Sequence, residues 1–214
     1  MSIVISALIT GLNDEISAEE KISALSTKME RAIKKALRWS SMQGRWSCLH
    51  KTDASQSVTA GTQNLTKMAD FHLLDNITLN DGTYEGPPLE PLEGGFYQWL
   101  TNREHETSSS YGEPVNKVER GNNIYLEPLP DGAYTASINY WSIHQTSDLA
   151  LTTVLAFPDV FESALVYAVC AAYLDTTDRH NKATLYWAKA LGELDDLRDG
   201  FEDKRESVIK YQDL

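Results

Sequence analysis

Apolar positions recur at helical spacing toward both ends of this chain and at strand spacing between them. In "SAEEKISALSTKMERAIKKALRW", Ile22, Leu25, Met29, Ile33 and Ala36 fall on one face, which predicts an amphipathic helix of about six turns. Ser17 and Glu20 stand at capping-box spacing at its start, and "SSMQG" loosens it near Gly44. Residues 3–12 read as a short helix packed before it or as a strand, the helix being preferred.

From Trp46 to about Ser147, glycine, proline, threonine and asparagine interrupt short apolar pieces. "WSCLHKTDASQSVTAGTQNL" predicts one or two strands with a turn at Gly61, and "FHLLDNITLNDGTY" a strand closed by Asn80-Asp81-Gly82. "EGPPLEPLEG" is a rigid connector, "FYQWLTNR" a short helix, and "EHETSSSYGEPV" an exposed loop. In "GNNIYLEPLPDGAYTASINYW", Ile124 and Leu126 point one way and Tyr125 the other. Tyr134, Ala136, Ile138 and Tyr140 then alternate with small polar residues. These two pieces are expected to form a hairpin supported by the earlier strands.

"FPDVFESALVYAVCAAYL" restores the helical period, with Pro158 in the first turn and Phe161, Leu165, Ala168 or Val169, and Ala172 as the buried stripe. A second helix carries Ala183, Trp187, Ala190, Leu194, Leu197 and Phe201 at intervals of four and three. A short break between them makes an antiparallel pair. The expected class is α+β: a small helical bundle, made of a long N-terminal helix and a C-terminal helical hairpin, with a β-rich insertion. The segments are N-terminal core helices at 1–45, the insertion at 46–147, the hairpin at 148–201 and a charged tail or helix extension at 202–214.

The charge changes this picture most. The net charge is −12, yet residues 21–51 hold eight bases against the single acid Glu30. Lys28, Arg31, Lys35 and Arg38 form a basic stripe on the first long helix. Asp195, Asp199, Glu202 and Glu206 form an acidic one near the C-terminus. Each stripe is a solvated helix face, or meets the opposite charge within the monomer or in a neighbouring copy. Tyr125, Tyr134 and Tyr140 belong to an aromatic set that suits a core and also a protein interface.

Candidate chemistry is sparse. His50, His72, His105, His144 and His180 show no metal-ligand spacing, and Cys48 and Cys170 form no metal or disulfide framework. Phosphate-loop, dinucleotide and nucleophile-elbow motifs do not occur. "DNITLND" lacks the closing glutamate of a calcium loop, and Ser108-Ser109-Ser110 has no base beside it. No apolar run reaches the length of about 18 residues that a membrane helix needs. The start "MSIVISALITGLNDE" reads as part of the fold, not as a signal peptide. An enzyme, a cofactor and a membrane partner are therefore not expected.

The order of these pieces resembles the head-to-tail connector (adaptor) proteins of tailed bacteriophages. The resemblance rests on "IKKALRWSSMQGRWSCLHK", "TAGTQNL", "GNNIYLEPLPDGAYTASINYW" and "FPDVFESALVYAVCAAYL" followed by "NKATLYWAKALGELDDL", spanning roughly residues 17 to 200. The chain departs where the family often carries a proline-rich "ALP" piece, having "LTKMADF" instead, and its loop at 101–114 is individual. The resemblance implies a ring, commonly of twelve copies, beneath the portal protein. Such a ring extends the DNA channel and docks a tail or stopper protein. Double-stranded DNA would pass without tight binding, as an acidic wall favours. The charged stripes and the three tyrosines become candidate interface residues, and 202–214 a segment that orders against the portal. Another neck or tail-completion protein, a non-viral binding domain, and a hydrolase built from scattered His and Asp residues are the rivals.

Overall fold

The computed structural model describes residues 2–16, 25–104, 110–144, 149–177 and 179–202. The fold is mixed α+β, with helices and a β-sheet insertion. It divides into a unit built from Met1–His50 with Trp141–Leu214 and a unit built from Lys51–Tyr140. Ser17, Glu20 and Ile22 of the expected first helix, His105, Ser108, Ser109, Glu206 and nearly all of the segment 202–214 lie outside the described residues.

The first unit is helical. Strand β1 (Ser2–Val4) leads into α1 (Ile5–Glu15), so the opening segment is both strand and helix. Ile5, Leu8, Ile9 and Leu12 form the buried face of α1. Helix α2 (Thr27–Ser41) starts at the N-cap Ser26, whose hydroxyl accepts the Met29 amide at 3.3 Å. It buries Met29, Ala32, Ile33, Ala36 and Leu37. At the far end of the chain, α4 (Glu162–Asp175) and α5 (His180–Phe201) pack on one another, and α1 and α2 pack on α4.

Two sequence expectations are corrected here. Helix α4 buries not one stripe but nearly its whole circumference, including Ala164, Val166, Cys170 and Ala171. A helix apolar all round has no solvent face to offer, and three helices cover this one. Pro158 does not sit inside the first turn of a helix but caps the short 3-10 turn Asp159–Phe161 that leads into α4. It ends strand β9 (Val154–Pro158), which pairs antiparallel with β1, Val4 opposite Val154. The missing N–H is tolerated there because the residue is the last of an edge strand.

Where α1 crosses α4, a Cβ added to Gly11 would lie 2.6 Å from Cγ2 of Val166. Valine is rotamer-locked in a helix, so it cannot swing away. Gly11→Ala is therefore expected to destabilise the protein by about 1–3 kcal/mol, although alanine is ordinarily the better helix former. Adding Val166→Ala should recover part of that loss. A urea midpoint for Gly11→Ala at or above wild type would show that the helices separate freely.

The second unit is built on two sheets. One has the order β2 (His50–Val58), β8 (Tyr134–Ser142), β4 (Phe71–Asn80). The other has the order β3 (Asn64–Thr66), β7 (Asn123–Glu127), β6 (Asn116–Arg120), β5 (Glu90–Pro91). Ile124 and Leu126 of one sheet and Ala136, Ile138 and Tyr140 of the other join a single core with Leu74, Ile77 and Leu79. The Gln56 side chain acts as a strand amide. It donates to the Thr66 carbonyl at 2.7 Å and accepts from the Thr66 N–H at 3.0 Å.

The expected hairpin between 121–127 and 134–140 does not form. Both edges of β7 are occupied, by β3 with Leu65 opposite Ile124 and by β6 with Val118 opposite Tyr125. The hairpin partner of β7 is β6, joined through Gly121-Asn122 with Gly121 at φ +57°. Strand β8 leaves for the other sheet because the intervening loop is anchored elsewhere. The Gly61 and Gly112 amides donate to the carbonyls of Pro130 and Leu129.

Helix α3 (Gly95–Glu104) packs on the β6–β7 hairpin, its side chains reaching β7. Trp99 is buried, donates its indole N–H to the Leu126 carbonyl at 3.0 Å, and packs on Tyr125 at 4.6 Å. Arg103 lies over the Trp99 ring and pairs with Glu127.

Candidate functional site

Burial of Met29, Ile33 and Ala36 turns the opposite face of α2 to solvent, so Lys28, Arg31, Lys35 and Arg38 are all exposed. Lys35 is the member tied into the fold. Its ammonium sits 2.8 Å from Asp175 and 5.6 Å above the Trp187 ring. Asp175 also accepts the Trp187 indole N–H at 3.3 Å, and His180 lies 3.6 Å away. Partial burial pushes the Asp175 carboxyl upward. The hydrogen bonds from Lys35 and Trp187 and the ammonium charge outweigh that and hold it below the usual carboxylate range. Among the described residues, Lys28, Arg31 and Arg38 make no ion pair.

The acidic stripe is shorter than its spacing suggested. Asp195 and Asp199 are exposed on α5, and Asp195 lies 3.3 Å from Arg198. Arg198 in turn donates to the Gln43 carbonyl at 2.9 Å. Helix α5 ends at Phe201, so Glu202 leaves the helical face. Its backbone bridges to Trp46 and its carboxylate accepts the Arg45 amide at 3.3 Å. Among the described residues no ion pair joins the two stripes.

The three tyrosines occupy different settings. Tyr125 belongs to the ring cluster with Phe96 and Trp99. Tyr134 is half-buried and donates to Asp131 at 2.7 Å; that bond, with burial, pushes its phenol up to about 12. Tyr140 is 4% exposed, stacks on Phe71 at 5.5 Å and donates to Asp70 at 2.9 Å, which makes it a core residue. Among the described residues the exposed aromatics are instead Tyr84 and Tyr97, the latter 81% accessible on α3 with Leu100 one turn on. Its signal was present in "FYQWL": a helix that buries Trp99 must turn Tyr97 outward.

The chemistry-bearing residues are dispersed. His50 packs edge-on to Trp141, His144 accepts the Ala156 amide, and burial lowers the His72 pKa. Cys48 and Cys170 are free thiols pushed by burial up to about 11 and about 12, which leaves them poor nucleophiles. Among the described residues no three His, Cys, Asp or Glu side chains gather as metal ligands, and no helix is long and apolar enough to cross a membrane. The surface offers charged helix faces on α2 and α5 and the exposed Tyr97 on α3.

A search of curated proteins finds no match to the chain. A match to a family description does exist, that of the SU10 adaptor protein, and it runs over residues 2–209. The match covers nearly the whole length, and on it the chain belongs to the SU10 adaptor family, a family of phage head-to-tail connectors with a structural role.

Proposed function

We propose that this protein is a connector subunit that assembles beneath the portal ring, commonly in twelve copies, extends the DNA channel and docks the tail or a stopper protein. The observation that carries the reading, beside family membership, is that one chain exposes Lys28, Arg31, Lys35 and Arg38 on one helix and Asp195 and Asp199 on another, and that among the described residues no ion pair joins the two sets. Solvated like charges on a helix repel weakly, and a neighbouring copy or portal subunit removes that repulsion. Lys28, Arg31, Lys35 and Arg38 are the proposed basic contact surface, and Asp195 and Asp199 its counterpart or part of the channel wall. The net charge of −12 suits a wall along which DNA slides, because tight duplex binding requires neutralising several phosphates.

The reading is tested by passing the full chain with the portal ring of the same phage over a size-exclusion column at low and high salt. Co-elution at low salt that weakens at high salt is expected. Separate elution at both salts, with folded protein throughout, contradicts it.

A further inference from the structure

Helix α5 is charged against its own dipole. Its 22 residues span about 33 Å. A helix N-terminus carries partial positive charge and favours acids, while the C-terminus favours bases. Here Arg179 occupies the N-cap, His180 and Lys182 follow, and the first turn holds no acid. Glu193, Asp195, Asp196 and Asp199 crowd the other end against Arg198. All of these residues except Arg198, which is half-buried, are exposed. Such an order costs helix stability, and the monomer offsets it with Asp175, 3.6 Å from His180, and with Arg198, 3.3 Å from Asp195, while leaving one sign of charge exposed at each end.

Helix α2 deepens the same polarity. Lys35 and Trp39 meet α5 at Trp187, the rings of Trp39 and Trp187 lying 4.6 Å apart. Just past the end of α2, Gln43 meets Arg198 near the end of α5. The order of these contacts runs the two helices in the same direction, so that Lys28 and Arg31, two turns and one turn before Lys35 on α2, lie on the side of α5's start. Arg38 lies midway, and Asp14 and Glu15 fall on the other flank of α5, where Tyr186 donates to the Glu15 carbonyl at 3.1 Å.

Between the charged ends, the outward line of α5 is nearly bare. Leu185, Ala188 and Gly192 precede Asp195 and Asp199 at intervals of three and four, and all are exposed. A Cβ on Gly192 would meet nothing within 4 Å, so nothing in the monomer requires glycine in this helix interior. A glycine there lets another backbone approach closely.

We propose that the helical unit joins copies of this chain head to tail, the acidic end of α5 in one copy docking on the basic end formed by α2 and the start of α5 in the next. This names the subunit contact of the connector reading and rests on it. A second copy fits better than DNA because the same chain supplies both complementary surfaces, and a duplex would meet the acidic end as well. The contact uses two different patches, so it is heterologous and closes a ring when the rotation between copies divides a full turn.

The test reverses each end separately: Asp195→Lys with Asp199→Lys in one variant, Lys28→Glu with Arg31→Glu in another. Self-association of the full chain is followed by sedimentation at low salt, with carbodiimide cross-linking of mixed heavy- and light-nitrogen protein. Wild type should associate and yield cross-links between copies from Lys28 or Lys182 to Asp195 or Asp199. Each variant alone should associate about tenfold or more weakly. An equimolar mixture should recover, because every junction in an alternating ring is then complementary, and recovery also shows that both variants fold. The neutral Asp195→Asn with Asp199→Asn variant should associate more weakly than wild type and lose salt dependence. The contact is overturned by a wild type that yields no such cross-links, by variants that associate as wild type does, or by a mixture no better than its parts. Duplex binding by wild type that Lys28→Glu with Arg31→Glu abolishes, with self-association unchanged, would assign the basic end to nucleic acid and overturn it too. Portal binding of wild type is read separately, so loss of the connector reading and loss of this contact are distinguishable.

Discussion

Phe161→Ala is expected to cost about 3–5 kcal/mol, a large part of the stability of an ordinary domain. The ring is fully buried where the chain turns from β9 into α4, and it touches Trp46 at 5.2 Å, Phe157 at 5.2 Å and Phe201 at 5.5 Å. Its removal leaves a cavity walled by rigid aromatic rings and by α4, which collapse poorly. Trp46 is further held by its indole N–H on the Ser40 carbonyl at 2.8 Å, so it cannot easily move in to fill the space. Hydrogen exchange should show protection falling first in α4 and α5, with a lowered urea midpoint. Phe161→Leu fills most of the volume and should cost much less. Equal effects of the two substitutions would mean that the site relaxes around any residue.

Trp99→Ala should be comparably damaging, about 3–5 kcal/mol, and should release α3. This helix has one buried side chain, Trp99, so its attachment depends on that ring, on Phe96 and Tyr125 beside it, and on the indole N–H. Trp99→Phe separates the contributions. It keeps most of the packing and leaves the Leu126 carbonyl without its donor, a loss of about 1–3 kcal/mol. The measurement is amide exchange of residues 95–104. Protection of that helix unchanged in Trp99→Ala would mean that Arg103 and Asn102, which both reach Glu127, suffice to hold it.

What was legible in the sequence follows from how locally each element is determined. The apolar periods of α2 and α5 predict the centre of each buried face, Met29, Ile33 and Ala36 in the first and Ala183, Ala190 and Leu194 in the second, because one helix face is set by spacing. They miss Ala32 and Leu37, take Leu25 into a helix that starts only after Ser26, and count Trp187, Leu197 and Phe201, which are half-buried. The strand alternation of Ala136, Ile138 and Tyr140 likewise predicts the inner face of β8. Partner choice was not local. Strands β7 and β8 are neighbours in sequence and alternate well, but the two-residue turn Gly121-Asn122 directs β7 to β6. Glu119 and Arg120 hid the strand character of that partner. Strand β9 was hidden because its partner β1 lies at the opposite end of the chain, and "VLAFP" alone reads as the approach to a helix.

The candidate site was partly legible for the same reason. Counting charges at helical spacing located both stripes, and it overran the helix at Glu202, where the backbone turns extended and the carboxylate folds back onto Arg45. It overlooked Arg179, His180 and Lys182, which form no periodic stripe. Their meaning lies in their position relative to the helix dipole, and that requires knowing where α5 begins. Tyr140 was a candidate by composition and is core by packing, whereas Tyr97 acquires its exposure only once Trp99 is placed.

The most direct measurement of the central claim is the native mass of the portal ring after incubation with this 23.9 kDa chain. The account predicts a defined complex with one copy bound per portal subunit, formed at low salt and stable after removal of excess protein. A portal ring of unchanged mass beside folded, unbound chain would contradict it.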